Sequence, residues 1–174
     1  RPDKAMAVDN PGAYNTYLDQ LGKSAGKEIQ TLMDLMDVLQ ERHDYFAKMG
    51  CRLSDHGLET IHYVPYTHEE IEKTFLHVRA GKTTTPEETA RFKSAMLIEF
   101  AVMDHDKDWT QQFHLGALRN NNTRMFEKLG PDTGYDSMGD FNMARALSRF
   151  LDHLDQQDQL ARTILYNLNP VDNE

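Results

Sequence analysis

Two of the eight histidines, His56 and His114, stand at the C-terminal ends of short apolar runs, where an imidazole can serve as a general base, an acid or a ligand. The run carrying His114 opens into a segment to residue 140 that is dense in Gly, Asn, Asp and Arg, types that no core requires. A loop of that length in a compact domain is either functional or disordered. Leu118, Met125, Phe126, Leu129, Tyr135 and Met138 recur at close intervals as apolar anchors and favour order. The loop can set Arg119, Arg124, Asp132, Asp136 and the run Asn120 to Asn122 around a small polar ligand, with Arg119 offering a fork for a carboxylate. Plainer readings stand beside these. A strand-end histidine can be a hydrogen-bonded structural group, Asp132 and Asp136 can bond neighbouring amides, and the segment can be a connector.

Other chemistries lack their signatures. No two histidines are spaced His-x-His, and no His-Glu-x-x-His helix occurs, so no metal ligand set is expected in this chain. There is no Gly-x-Ser-x-Gly elbow, and Gly130, Gly134 and Gly139 match no phosphate-binding fingerprint. Asp55 and His56 are adjacent, so on a strand they point to opposite faces and cannot form a dyad with each other. The formal charge of -9, with mixed signs and no basic stripe, argues against nucleic acid. No apolar run is long enough for a membrane span. The single Cys51 excludes an internal disulfide, fits a reducing cytoplasm and reads as a buried, inert thiol.

The elements that must position these groups read as helices alternating with strands. Strands are expected at Cys51 to Ser54, Thr110 to Leu115 and Thr163 to Leu168, ending in Asp55 and His56, in His114, and in Asn167 and Asn169. Thr67-His68-Glu69-Glu70 and Thr85-Pro86-Glu87-Glu88 are capping boxes, each followed by apolar residues at helical spacing. A helix over about 140–156 and a stripe of Ile29, Met33, Met36, Leu39 and Phe46 complete the set. The first 27 residues are the most connector-like part. This alternation predicts an α/β fold with about three parallel strands and large helical insertions, one unit over residues 1–174. Parallel sheets bind ligands at their strand C-termini, where the polar clusters fall.

Four stretches carry a family resemblance: Gly-Cys-Arg-Leu-Ser-Asp-His-Gly (50–57), Gln-Phe-His-Leu-Gly-Ala-Leu-Arg-Asn-Asn-Asn-Thr-Arg-Met-Phe (112–126), Leu-Gly-Pro-Asp-Thr-Gly-Tyr-Asp-Ser-Met-Gly-Asp (129–140) and Thr-Ile-Leu-Tyr-Asn-Leu-Asn-Pro-Val-Asp-Asn-Glu (163–174). They resemble uronate isomerase, also called glucuronate isomerase, and the opening Arg-Pro-Asp-Lys fits as well. The resemblance implies the amidohydrolase superfamily and a partial (β/α)8 TIM-type barrel, with this chain an internal segment of a longer bacterial enzyme. It implies interconversion of D-glucuronate with D-fructuronate and of D-galacturonate with D-tagaturonate in hexuronate catabolism. It also implies a divalent metal, zinc, whose ligands lie outside this segment.

On that reading His56 and His114 face the sugar from their strand ends as catalytic groups. Arg1, Arg119, Asn120, Asp132 and Asp136 are the substrate-binding candidates, Arg1 because it follows on an expected strand. The partners expected are a small hexuronate and, for a segment with open sheet edges, a second copy. Two rival readings share the features: a metal-dependent amidohydrolase cleaving an amide or ester, and a non-catalytic hexuronate-binding or assembly module.

Overall fold

Three threonines start three long helices in the same way. The side chains of Thr31, Thr67 and Thr85 each accept a hydrogen bond from the amide three residues on, and Asp34, Glu70 and Glu88 reach back to the threonine amides. In the computed structural model, which describes residues 1–173, these caps open α2 (Leu32–Lys48), α3 (His68–Arg79) and α4 (Pro86–Asp106).

The expectation of a connector over the first 27 residues does not hold. A 3-10 turn at Asp3–Met6 leads into α1 (Pro11–Ala25). Asn10 caps the amide of Ala13 at 3.1 Å, Pro11 supplies the pre-set first position, and Gly26 closes the helix at φ 68. Tyr14 and Leu18, four residues apart, are its buried face. The stripe read for α2 is also rotated: Leu32, Leu35, Val38 and Leu39 face inward, while Met33 and Phe46 are exposed. Cys51, expected in the core, is half-buried and donates to the Leu53 carbonyl.

The sheet has three parallel strands in the order β1 (His56–Leu58), β2 (Thr110–Leu115) and β5 (Arg162–Asn167). The second and third lie within a residue of expectation. The first is displaced, because only Leu53 of the expected run makes a bridge, to Thr110, before the ladder resumes at His56. Gly116 at φ 90 ends β2 and turns the chain into an unforeseen antiparallel pair, β3 (Ala117–Leu118) with β4 (Ser137–Met138). Between these two lies α5 (Thr123–Leu129), and α6 (Ala144–Gln156) comes after β4.

Register decides which groups reach the site. His56 pairs with Phe113, Gly57 with His114, and His114 in turn with Tyr166. By alternation Gln112, His114, Ile164 and Tyr166 share one face, with Gly57 beside them. His56, Leu58, Phe113 and Leu115 share the other, which the helices cover. The long α4 is the centre of that layer: Phe92, Ala95, Met96, Leu97, Phe100 and Ala101 are buried on several sides of it, and it packs on α3, α6, β2 and the 3-10 turn. Near its end Asp104, 1% exposed, is held by His43 at 3.0 Å and by the Ser54 hydroxyl, so both oxygens of this buried group have hydrogen-bond partners. His43 is therefore a structural group, its ring tilted 32° against Trp109 with 4.0 Å between centroids.

The 3-10 turn that carries the N-terminal residues is fixed by Tyr14, whose buried hydroxyl donates to the Ala5 carbonyl at 2.9 Å. Tyr14→Phe removes that bond and strands a buried carbonyl, so urea denaturation should show a loss of about 1–2 kcal/mol. An unchanged midpoint would refute the assignment.

Candidate active site

Gly57 and His114 sit side by side on neighbouring strands, and the groups that converge there come from four parts of the chain. The Asp55 carboxylate is shared: Oδ1 receives His114 Nδ1 at 2.7 Å, and Oδ2 pairs with the Arg1 guanidinium through Nε. Asp55 thus partners not its neighbour His56 but the histidine across the sheet. With Nδ1–H donated to the carboxylate, Nε2 of His114 is the nitrogen left to accept or deliver a proton. The ring is held flat against Tyr166, 4.5 Å between centroids and 15° from parallel. The Tyr166 hydroxyl donates to Gln112 Oε1 at 3.1 Å, and the Gln112 amide donates to the Ser54 carbonyl at 3.3 Å.

Two guanidinium groups converge over Gly57. A Cβ there would lie 3.2 Å from Arg1 Nη1, a tight approach, and 3.6 Å from Arg119 Nη2, an ordinary contact. Arg119 is anchored to Asp136 at 2.6 Å, and Asp136 also receives the Asn120 amide at 2.9 Å. Asn120 is in the left-handed region at φ 55, which bends the loop so that this amide reaches the carboxylate. Asn121 donates to the Leu118 carbonyl, and Asn122 caps α5, so the asparagine run orders the loop.

The sequence candidates therefore divide. Arg1, Arg119, His114, Asn120 and Asp136 are brought together with Asp55. Asp132 is not part of that network: it occupies an exposed left-handed turn at φ 59. His56 does not face the opening. It is 1% exposed, stacked on Phe113 and Phe100, with Nδ1 2.8 Å from Asp3 Oδ1. The expectation that it faces a sugar is corrected by register, because its pairing with Phe113 turns it into the helical layer. Sequence reading did not give Asp55 as the partner of His114, nor Tyr166, Gln112, Gly57 and Asp3. The spacing of Gln112 and His114, two apart on one strand, was a usable signal. The loop anchors are corrected too: Phe126, Leu129, Tyr135 and Met138 are exposed.

A cavity of about 720 Å³, lined by Asp3, Gly57, Glu59, His62 and Lys93 among others, adjoins this cluster on the β1 side. Partial burial pushes the Asp55 carboxyl up, but the hydrogen bonds from Arg1 and His114 outweigh it and hold it below the usual carboxylate range. The Asn120 amide and the Arg119 fork hold Asp136 below that range as well. Among the described residues no group of three or more His, Cys, Asp or Glu side chains converges to hold a metal ion. Asp55 and His114 alone do not make a metal site.

The parallel α/β sheet carries an oriented His–Asp pair near its strand C-termini, with two arginine forks beside it, the class of arrangement whose chemistry suits a small anionic ligand. The comparisons with known proteins narrow this class. The glucuronate isomerase family model matches residues 1–174, and the chain belongs to that family. It is 57% identical to a uronate isomerase of Cellvibrio japonicus and 53% identical to one of Bacteroides thetaiotaomicron, covering all of this chain and 37% of each relative. A crystal structure of uronate isomerase from Thermotoga maritima superposes on 97% of this chain and 37% of its own, with a TM-score of 0.89 at 30% identity. A glucuronate isomerase structure from Caulobacter crescentus gives 0.81 at 25% identity, over 95% of this chain and 34% of that one. The chain thus spans a little over a third of the length of these relatives. No helix among the described residues is long and apolar enough to cross a membrane.

The depressed Asp55 has a consequence with a definite sign. Its unfolded value is about 3.9, and its folded value is lower, so it contributes stability above that pH and loses it as pH falls through the folded value. Asp55→Asn should flatten the acid limb of the stability–pH profile measured by urea denaturation. An unaltered acid limb would mean that the carboxylate is not held as described.

Proposed function

We propose that this chain supplies part of the active site of a hexuronate isomerase, interconverting D-glucuronate with D-fructuronate and D-galacturonate with D-tagaturonate. The observation that carries the reading is the His114–Asp55 pair with Arg1 and Arg119 converging beside it, in a chain of the glucuronate isomerase family. The three parallel strands and their helices would then be a sector of a (β/α)8 barrel.

An aldose–ketose isomerisation needs a base at C2, a donor at the oxygen that becomes charged, and an anchor for the acid group. His114 Nε2 would take the proton from C2 of the open-chain sugar, and Asp55 would stabilise the imidazolium that forms. The enediolate charge then develops on O1. Return of a proton to C1, with transfer of the O2 proton to O1, leaves the carbonyl at C2 and no net redox change. The free nitrogens of Arg1 and Arg119 would hold the carboxylate or the enediolate oxygens, and Asn120 and Asp136 would hold Arg119 in place. The divalent metal implied by the family resemblance would take its ligands from outside this segment, and none of these steps passes through it.

The exposed apolar groups support a further part of the reading. Ile164 and Leu165 lie on the outer strand, Leu168 and Val171 lie just past its end, and Phe126 and Met138 stand out on the loop. Burial of such surface is worth roughly 25 cal/mol per Å². The 174-residue chain alone should therefore self-associate and show no turnover, whereas a monodisperse monomer in light scattering at high concentration would count against the first. In an isomerase containing this segment, His114→Asn should lower kcat by about 100-fold or more in a hexuronate assay. Unchanged turnover would retire His114 from the mechanism.

A further inference from the structure

Arg1 has no secondary structure of its own, yet its guanidinium must stay within reach of Asp55 and Gly57. The group that fixes it lies two residues on. The Asp3 carboxylate bonds twice to β1: Oδ1 to His56 Nδ1 at 2.8 Å and Oδ2 to the Gly57 amide at 2.9 Å. The Ser54 and Leu58 carbonyls accept from Gln112 and Gly116, towards β2, so alternation turns the Gly57 amide to the opposite edge of the strand. Asp3 therefore ties the N-terminal segment to the free edge of β1 at the very residue over which the two arginines meet.

His56 is the unusual member of this clasp. A 1% exposed imidazole among Phe100 and Phe113 occupies a place that a purely apolar residue would fill without cost. Among the described residues its side chain has one polar partner, Asp3, itself 25% exposed. A core built for packing alone does not need a histidine there; a core that must hold one carboxylate at one position does. The 3-10 turn begins at Asp3, with the Ala5 amide bonded to the Pro2 carbonyl at 2.8 Å, so little slack separates the clasp from Arg1.

We infer that His56 and Asp3 are positioning residues, a clasp of a buried imidazole and a part-exposed carboxylate that aims the Arg1 guanidinium at Asp55 and at the anionic group of the ligand over Gly57. That the anion is the hexuronate carboxylate rests on the proposed isomerase activity; the clasp itself does not.

Two measurements separate the clasp from the activity. Carboxyl NMR on the 174-residue chain follows the Asp55 titration, with Asp136 as an internal reference. His56→Phe keeps the aromatic stack and removes the bond to Asp3; it should raise the Asp55 midpoint towards the ordinary range and leave Asp136 unmoved. His56→Asn, which restores a donor, should bring the midpoint back. Arg1→Ala should raise the midpoint as His56→Phe does, and His56→Phe in the Arg1→Ala background should add nothing further. Asp3→Asn gives the same readout from a half-exposed position if His56→Phe does not fold. An unmoved Asp55 midpoint in folded His56→Phe or Asp3→Asn, or full additivity with Arg1→Ala, would overturn the clasp. In an isomerase containing the segment, His56→Phe should raise KM for D-glucuronate about tenfold with kcat within about threefold, a difference of about 1.4 kcal/mol in binding. Equal loss in kcat and no change in KM would count against the clasp. Absence of turnover by the unsubstituted enzyme would sink the functional reading and leave the NMR cycle to decide the clasp.

Discussion

The side-by-side pairing of Gly57 with His114 on parallel strands is the constraint on which the rest of the site depends. Side chains on a strand alternate, so this one register sends His114, Gln112 and Tyr166 to the open face and His56, Phe113 and Leu115 into the helical layer. A slip by one residue would bury the His114 imidazole and expose that of His56. The helical layer enforces the register, because Phe113 and Leu115 are almost completely buried beneath it. Packing on one side of the sheet thereby sets chemistry on the other.

Charge at the site is balanced in pairs rather than concentrated. Asp55 serves Arg1 and His114, and Asp136 serves Arg119 and the Asn120 amide. Each carboxylate orients a cationic or basic group while leaving part of it free, so the remaining donor atoms have fixed directions. These pairs are half-exposed, and their contribution to stability is small. Their value is geometric, since the forks and the imidazole ring each have one preferred direction.

Much of the fold was legible, for local reasons. Capping boxes at Thr67 and Thr85 announce their helices because the hydrogen bonds that start a helix are made by the residues that carry the signal. β2 was legible from a short apolar run bounded by polar residues. The first helix is hidden because Pro2, Pro11, Gly12, Gly22 and Gly26 give the segment a connector-like composition, although Asn10, Pro11 and Gly26 frame the helix as caps. The α2 stripe was misread because Met33 and Phe46 are apolar yet point outward. At the site, the sequence singles out His114, Arg119, Asn120 and Asp136, which the structure brings into one cluster, but not their partners. Asp55 joins His114 across 59 positions and Arg1 across 54. No spacing in a single sequence encodes such a contact, and the two arginines meeting over a glycine leave no mark at all. His56 misled because it ends an apolar run in sequence while the register, not the run, decides which way it turns.

The burial of α4 on several of its sides has a consequence for folding. A helix with so much apolar circumference keeps only a narrow polar face, with Glu87 and Glu99 exposed on it, so it forms together with the neighbours that cover the rest. It contacts α3, α6, β2 and the 3-10 turn, and its loss would release elements from both ends of the chain at once. Amide exchange in these parts should share one opening event, while the half-exposed loop between Leu118 and Met138 opens on its own and far more often. The molecule thus keeps a frame that yields only as a whole beneath a segment that yields locally.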